Sequence, residues 1–143
     1  MKFNSQICTT KEQSERLLAL GLKKETADIY YSHDKGEDIY AIRACWEDFW
    51  SSKKLIDNYI RRHCIPAWSL HRLILMIPSA VYQGDSIRYF MIEQGHNVAY
   101  WYFGEDECEL CKVWSRQDLY NNIIDCIEWL IKEGYFNKEY LEE

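Results

Sequence analysis

The sequence is poor in the residues that interrupt regular structure, with only two prolines and six glycines in 143 residues. No Pro-rich or Gly-rich linker and no internal repeat divides the chain, so a single domain over residues 1–143 is predicted. No apolar run approaches the ~20 residues of a transmembrane helix, and the first residues lack the apolar core of a signal peptide. We therefore expect a cytoplasmic protein that does not bind membranes and whose six cysteines are kept as thiols.

The motifs of the common enzyme classes are also absent from the sequence. It contains no dinucleotide-binding glycine motif, phosphate loop, His-Glu-x-x-His helix or Gly-x-Ser-x-Gly elbow. This absence disfavours an enzyme, and no cofactor is predicted. One alternative stays open, a small enzyme built on a cysteine nucleophile, for which Cys64 with His63 and His71 is the only candidate group.

Cys108 and Cys111 have the only spacing that is typical of a metal site. A structural zinc ion needs four ligands, usually from two such pairs, and the sequence has no second pair. In a regular strand, residues three apart point to opposite faces, so these two thiols would not grip one ion. No metal site is predicted.

The formal net charge of −6 lowers the expectation of a nucleic-acid-binding protein, because such proteins usually present a positive surface to phosphate. The balance reverses between residues 53 and 72, where aromatic residues are interleaved with basic ones. A nucleic-acid-associated accessory protein therefore remains an alternative. Its contacts would come from Lys53, Lys54, Arg61, Arg62 and Arg72.

The hydrophobic pattern predicts an α+β fold with an antiparallel sheet packed against helices. A first helix follows Thr9, whose spacing from Glu12 predicts a capping box, and ends at Gly21. Strand-like runs at 28–32 and 38–44 form a predicted hairpin, and residues 46–62 look helical but broken. Residues 70–77 form a short helix that Ser69 caps.

The C-terminal half carries the clearest pattern. A three-stranded meander is predicted over 86–93, 97–103 and 108–114. It is followed by a helix that Ser115-x-x-Asp118 opens, that runs to about Glu133 and that ends at Gly134. The pattern leaves open whether the N-terminal hairpin extends this sheet.

Aromatic residues make up 15% of the chain, and the strands of the meander are apolar on both faces. A half-exposed sheet alternates more cleanly, so the second face is expected to be covered, either by the N-terminal half or by a partner. The leading hypothesis is a non-enzymatic interaction protein that binds a protein partner or a second copy of itself. The predicted surface consists of Trp46, Trp68, Tyr89, Tyr100 and Tyr102.

Three stretches, Thr9–Leu22, Pro66–Leu73 and Asn122–Phe136, resemble a family of short uncharacterised proteins from prophages and mobile elements of gut bacteria. The resemblance spans most of the chain, although residues 30–62 depart from the family pattern. It implies an accessory protein in the cytosol that acts on host or phage machinery. It implies no catalytic residue.

Overall fold

A computed structural model of the chain describes residues 6–32, 40–42, 64–115 and 118–143. The described chain is mixed α+β with antiparallel sheets, as the sequence pattern predicts. It divides into two compact units, of which unit 1 comprises residues 1–72 and 140–143 and unit 2 comprises residues 73–139. The prediction of a single domain stays a prediction.

Helix α1 of unit 1 spans Lys11–Ala19 and has well-defined caps at both ends. Thr10, not Thr9, is its N-cap, and the Thr10 hydroxyl accepts from the Gln13 amide while the Gln13 side chain accepts from the Thr10 amide. At the other end, Gly21 has a φ of +91°, and the amides of Gly21 and Leu22 donate to the carbonyls of Leu18 and Leu17. This is a Schellman motif, and the predicted glycine stop is confirmed.

A three-stranded antiparallel sheet follows in unit 1, in the order β2-β1-β3. Strand β1 spans Ile29–Ser32, β2 spans Tyr40–Ile42 and β3 spans Cys64–Ala67. The predicted hairpin of β1 and β2 is confirmed, but among the described strands it forms a separate sheet with β3 and does not extend the C-terminal meander. Strand β3, which contains Pro66, was not predicted. Proline is tolerated here because β3 is an edge strand.

Helix α2, at Leu70–Met76, spans the division between the units. The Ser69 hydroxyl accepts from the Arg72 amide at 3.1 Å, which confirms the predicted cap. Among the described residues, no helix combines the length and the apolar character that crossing a membrane requires.

Unit 2 consists of a four-stranded antiparallel meander and one long helix. The strands are β4 (Ala80–Gln83), β5 (Ser86–Ile92), β6 (Val98–Phe103) and β7 (Cys108–Trp114). The last three match the predicted meander, and β4 is an additional strand. Helix α3 spans Leu119–Glu133. Asp118 is its N-cap, and Gly134, whose φ is +77°, is its C-cap.

Helix α3 covers one face of this meander. The ring of Trp129 on α3 lies 5.8 Å from the ring of Tyr100 on β6 and 5.5 Å from that of Trp114 on β7. Ile123, Ile127 and Leu130 on the same helix are fully buried. The core of unit 2 therefore lies between α3 and one side of the sheet. On the opposite side, several large hydrophobic side chains are exposed.

Candidate functional site

The structure buries Trp68, which the sequence places on the predicted binding surface. Its side chain is 0% exposed, its indole N–H donates to the Thr26 hydroxyl at 2.9 Å, and its amide donates to the Thr9 hydroxyl at 3.0 Å. Thr9 in turn shares a hydrogen bond with Ser14. The assignment of Trp68 to an exposed surface is wrong, because this side chain is the centre of a buried polar network in unit 1.

Tyr100 is buried in the same way in unit 2, at 0% exposure. Its hydroxyl donates to the Pro78 carbonyl at 2.7 Å, and its ring packs against Phe90 and Trp129. Burial, with a smaller contribution from the nearby Cys126 thiol, raises the pKa of the Tyr100 hydroxyl far above its ordinary value. Tyr100 is therefore a core residue and was wrongly assigned to the surface.

The remaining predicted surface residues do not share one face. Tyr89 pairs with Trp101 across β5 and β6, whereas Phe90 pairs with Tyr100. Directly opposed residues point to the same side of a sheet, and neighbours along a strand point to opposite sides. Tyr89, which is 43% exposed, thus lies on the side opposite Tyr100 and the half-buried Tyr102. Trp46 lies outside the described residues.

The residues of the two alternative sites are also only partly described. Lys53, Lys54, Arg61, Arg62 and His63 lie outside the described residues. Arg72 donates from Nε to the Thr26 carbonyl at 2.7 Å. Of the predicted cysteine-nucleophile group, only Cys64 and His71 are described. Cys64 is buried in β3, and His71 on α2 is exposed.

Cys108 and Cys111 occupy an irregular part of β7. Tyr100 pairs with Lys112 and Trp101 pairs with Leu110, so Cys111 is the extra residue of a β-bulge. The expectation that Cys108 and Cys111 point to opposite faces assumed a regular strand, and the bulge makes this strand irregular. Among the described residues, no cluster of three or more metal-ligating side chains is present.

The strand pairing instead brings together a different apolar surface, on the side of the meander opposite α3. Of the nine large hydrophobic side chains that are exposed in the described chain, six lie on this one side. We call these six residues the open face. They are Tyr82, Tyr89, Met91, Phe103, Leu110 and Val113.

Aromatic contacts organise the open face and its neighbour Trp101. The rings of Tyr89 and Phe103 lie 6.2 Å apart, and those of Trp101 and Phe103 lie 6.4 Å apart and nearly parallel. The Trp101 indole N–H donates to the Glu93 carboxylate at 2.6 Å. Glu93 follows Tyr89 and Met91 at alternate positions, so this hydrogen bond holds the indole along the sheet surface.

The formal charge of the protein resides entirely in the unit that carries the open face. Unit 2 has eleven acidic and five basic residues, whereas unit 1 has twelve of each, so the net charge of −6 belongs to unit 2. Exposed acidic residues gather at one end of the meander, in the turns after β4 and β6. They are Asp85, Glu105, Asp106 and Glu107.

Sequence reasoning found Tyr89 but missed the rest of the open face. The signal that defines the face is the cross-strand register, and part of that register is readable from the turns. The pair Gly84-Asp85 is a typical two-residue hairpin turn, and Gly84 has a φ of +61°. That turn would have placed Tyr82 on a strand beside Ile87.

Comparison with known proteins gives no match to a protein-family model, a curated protein or a solved structure.

Proposed function

We propose that this protein is a non-enzymatic interaction protein that binds a protein partner through the open face. The observation that carries the proposal is the concentration of six exposed hydrophobic side chains on one side of one sheet. Isolated exposed hydrophobics are common on protein surfaces, but a contiguous patch of this kind usually marks an interaction site.

The size of the open face supports this interpretation. Its three aromatic and three aliphatic side chains are between 39% and 68% exposed. Together they leave on the order of 500–600 Å² of apolar side-chain surface, given the 150–250 Å² that a buried aromatic contributes. That area is comparable to the apolar centre of a standard interface, which buries about 800 Å² on each partner.

The composition of the open face also resembles that of binding sites in general. Tyr, Phe and Met are enriched where proteins meet, since they provide contact area with few rotatable bonds or with adaptable shape. Trp101 is already held in place by Glu93, so less side-chain freedom is lost on binding.

Site-specific photo-crosslinking tests this proposal. A photoreactive phenylalanine analogue would replace Phe103 on the open face or, as the matched control, Leu75, which is 58% exposed on α2 of the same unit. Each variant would be irradiated in the organism that carries the gene. We expect a defined protein adduct at position 103 and none at position 75. Equal labelling at both positions, or none at either, would contradict the proposal.

A nucleic-acid role is the second candidate function, and the exposed aromatic rings on an antiparallel sheet favour it. Proteins bind single-stranded RNA by stacking its bases on such rings. The charge of unit 2 argues against this role, because an acidic surface repels phosphate. The prophage context implied by the sequence resemblance fits either candidate, and we propose it as the setting in which the protein acts as an accessory factor.

A further inference from the structure

The described charged residues that border the open face are all acidic. No charged side chain of the described strands points to this side of the meander, but Glu93, which directly follows β5, reaches it through its hydrogen bond with Trp101. At the opposite end are the exposed acidic turns at Asp85 and at 105–107. The two basic residues of the described strands, Arg88 and Lys112, pair with Tyr102 and Tyr100 and therefore point to the α3 side. The open face is thus an apolar band with carboxylates at both ends.

The dimensions of this band fit one α-helix. Four strands separated by ~4.8 Å span about 14 Å, and the side chains from Ile87 to Met91 cover about 13 Å along β5. A helix with its side chains is ~10–12 Å wide, and three turns of it are ~16 Å long. A bound helix of about three turns would therefore cover the apolar band and place its ends near the carboxylates.

The protein itself provides a precedent for this mode of packing. Helix α3 covers the other side of the same meander with an apolar stripe that includes Ile123, Ile127 and Leu130. A second helix on the open face would complete a three-layer arrangement in which both faces of the sheet are covered.

From these observations we infer that the open face binds a cationic amphipathic helix of a partner protein. This inference rests on the proposed function and adds the chemical class of the partner. The apolar stripe of the helix would pack on Tyr89, Phe103 and their neighbours, while Lys or Arg residues near its ends would pair with Glu93 and with the acidic turns.

The same charges disfavour two other occupants. A second copy of this chain would bring two acidic units together, because the net charge of −6 lies in unit 2. A nucleic-acid strand would bring its phosphates to the same carboxylates. A cationic helix is the occupant that gains from both the apolar band and its acidic ends.

Peptide binding to the full chain, measured by fluorescence anisotropy, tests the inference. The probe is a labelled 14-residue helical peptide with leucines at i, i+3, i+4 and i+7 spacing and lysines elsewhere. Three comparison probes are a peptide with glutamates in place of the lysines, a scrambled leucine–lysine peptide without the apolar stripe, and a 12-nucleotide uridine strand. We expect only the first probe to bind, with an affinity that falls as salt rises.

Variants of the chain locate the binding. Phe103→Ser should weaken binding of the cationic helix at least tenfold, and the triple change Glu105→Gln, Asp106→Asn and Glu107→Gln should weaken it about threefold to tenfold. Leu75→Ser is the matched control and should leave it unchanged. Thermal unfolding verifies that each variant is folded, and Tyr82→Ser, at a side chain that is 68% exposed, replaces Phe103→Ser if that variant unfolds.

Several outcomes would overturn the inference. These are equal binding of the glutamate peptide, equal binding of the scrambled peptide, or an affinity that neither the open-face variants nor the triple change alters. Salt-sensitive binding of the uridine strand that Phe103→Ser abolishes would also overturn it and would favour the nucleic-acid role.

The crosslinking experiment separates this inference from the proposed function. If position 103 crosslinks to an acidic or extended segment of a partner, the interaction function stands and the cationic-helix inference fails. If position 103 gives no adduct in the cell, the proposed function fails even where the synthetic peptide binds.

Discussion

Among the side chains that the structure describes, no aromatic side chain of unit 1 is exposed, whereas unit 2 exposes three beside the buried Tyr100. In unit 1, Tyr31 and Trp68 are buried and both reach Thr9, since the Tyr31 hydroxyl donates to the Thr9 carbonyl at 2.6 Å and the Trp68 amide donates to the Thr9 hydroxyl at 3.0 Å. In unit 2, Tyr82, Tyr89 and Phe103 stay at the surface. The comparison teaches that aromatic content alone does not indicate a binding surface, because matched polar partners can draw the same residue types into a core.

The two units also differ in charge in a way that bears on their roles. Unit 1 is formally neutral, whereas unit 2 carries the whole net charge of −6 next to its exposed apolar face. A surface that combines apolar area with charge of one sign can select a partner of opposite charge. Under the proposed function, unit 2 is therefore the unit that binds the partner.

The largest effect that we expect is the loss of stability in Trp68→Ala. The substitution removes a fully buried indole and its hydrogen bond to Thr26, which should lower the free energy of unfolding by about 3–5 kcal/mol. Urea denaturation followed by circular dichroism measures this change. Trp68→Phe, which keeps most of the ring volume, should cost less. A loss below about 1 kcal/mol for Trp68→Ala would show that unit 1 does not depend on this network.

Alkaline pH should destabilise the core of unit 2. Burial raises the pKa of the Cys126 thiol above its ordinary value of 9.0, and burial raises that of Tyr100 above 10.0. Well below pH 9 both groups are protonated in the folded and unfolded states, so their contribution to stability is complete. Above about pH 9 the unfolded chain loses the thiol proton, and above about pH 10 it also loses the tyrosine proton, while the folded chain keeps both. The free energy of unfolding then falls by up to about 1.4 kcal/mol per pH unit for each group.

Cys126→Ala provides the control for this pH dependence. The variant should show a shallower loss of unfolding free energy between pH 9 and pH 10 than the unchanged chain, because one of the shifted groups has been removed. Urea denaturation at a series of pH values measures both slopes. Identical slopes would show that the Cys126 thiol ionises equally in the folded and unfolded chain.

A smaller effect is expected at the start of α1. Thr10→Ala removes the hydroxyl that accepts from the Gln13 amide at 3.2 Å. The free energy of unfolding should fall by about 1 kcal/mol. Thr10→Ser keeps the hydroxyl and should retain most of the stability. If Thr10→Ala were neutral in urea denaturation while Thr10→Ser was not, the capping box would not be the stabilising feature.

The smallest effect should be that of Tyr82→Ser on the open face. Because this side chain is 68% exposed, its loss should change the free energy of unfolding by less than about 0.5 kcal/mol. The same substitution should reduce binding of the cationic helix. A destabilisation above about 1.5 kcal/mol would mean that Tyr82 packs within the protein, and the contrast between the two units would then disappear.

Local patterns predicted the local parts of this fold well. The last three strands of the meander, helix α3 and the two glycine stops at Gly21 and Gly134 follow from alternation, helical spacing and left-handed geometry. At α1, however, Thr9 and Thr10 each have a Glu or Gln three residues ahead, so two overlapping capping boxes compete. Thr10 is the cap, while Thr9 bonds to Trp68, 59 residues away, and that contact is invisible in the local sequence.

The candidate site was harder to predict for the same reason. Which side of a strand is covered depends on register and on the element that packs against it, and neither is contained in the alternation of one strand. Tyr89 and Tyr100 look equivalent in the sequence, yet α3 buries one of them and leaves the other exposed. The strand register also assigns Trp101, Phe103 and Leu110 to the same side as Tyr89.

The β-bulge at Cys111 also interrupts the outer edge of the sheet in unit 2. Strand β7 is the last strand in the order β4-β5-β6-β7, so no described strand pairs with its outer backbone groups. A straight apolar edge beside an exposed apolar face favours lateral stacking of many copies into aggregates. By breaking the regular ladder next to Lys112, the bulge makes β7 a poor template for such growth. The apolar face therefore lies beside an edge whose regular ladder is interrupted.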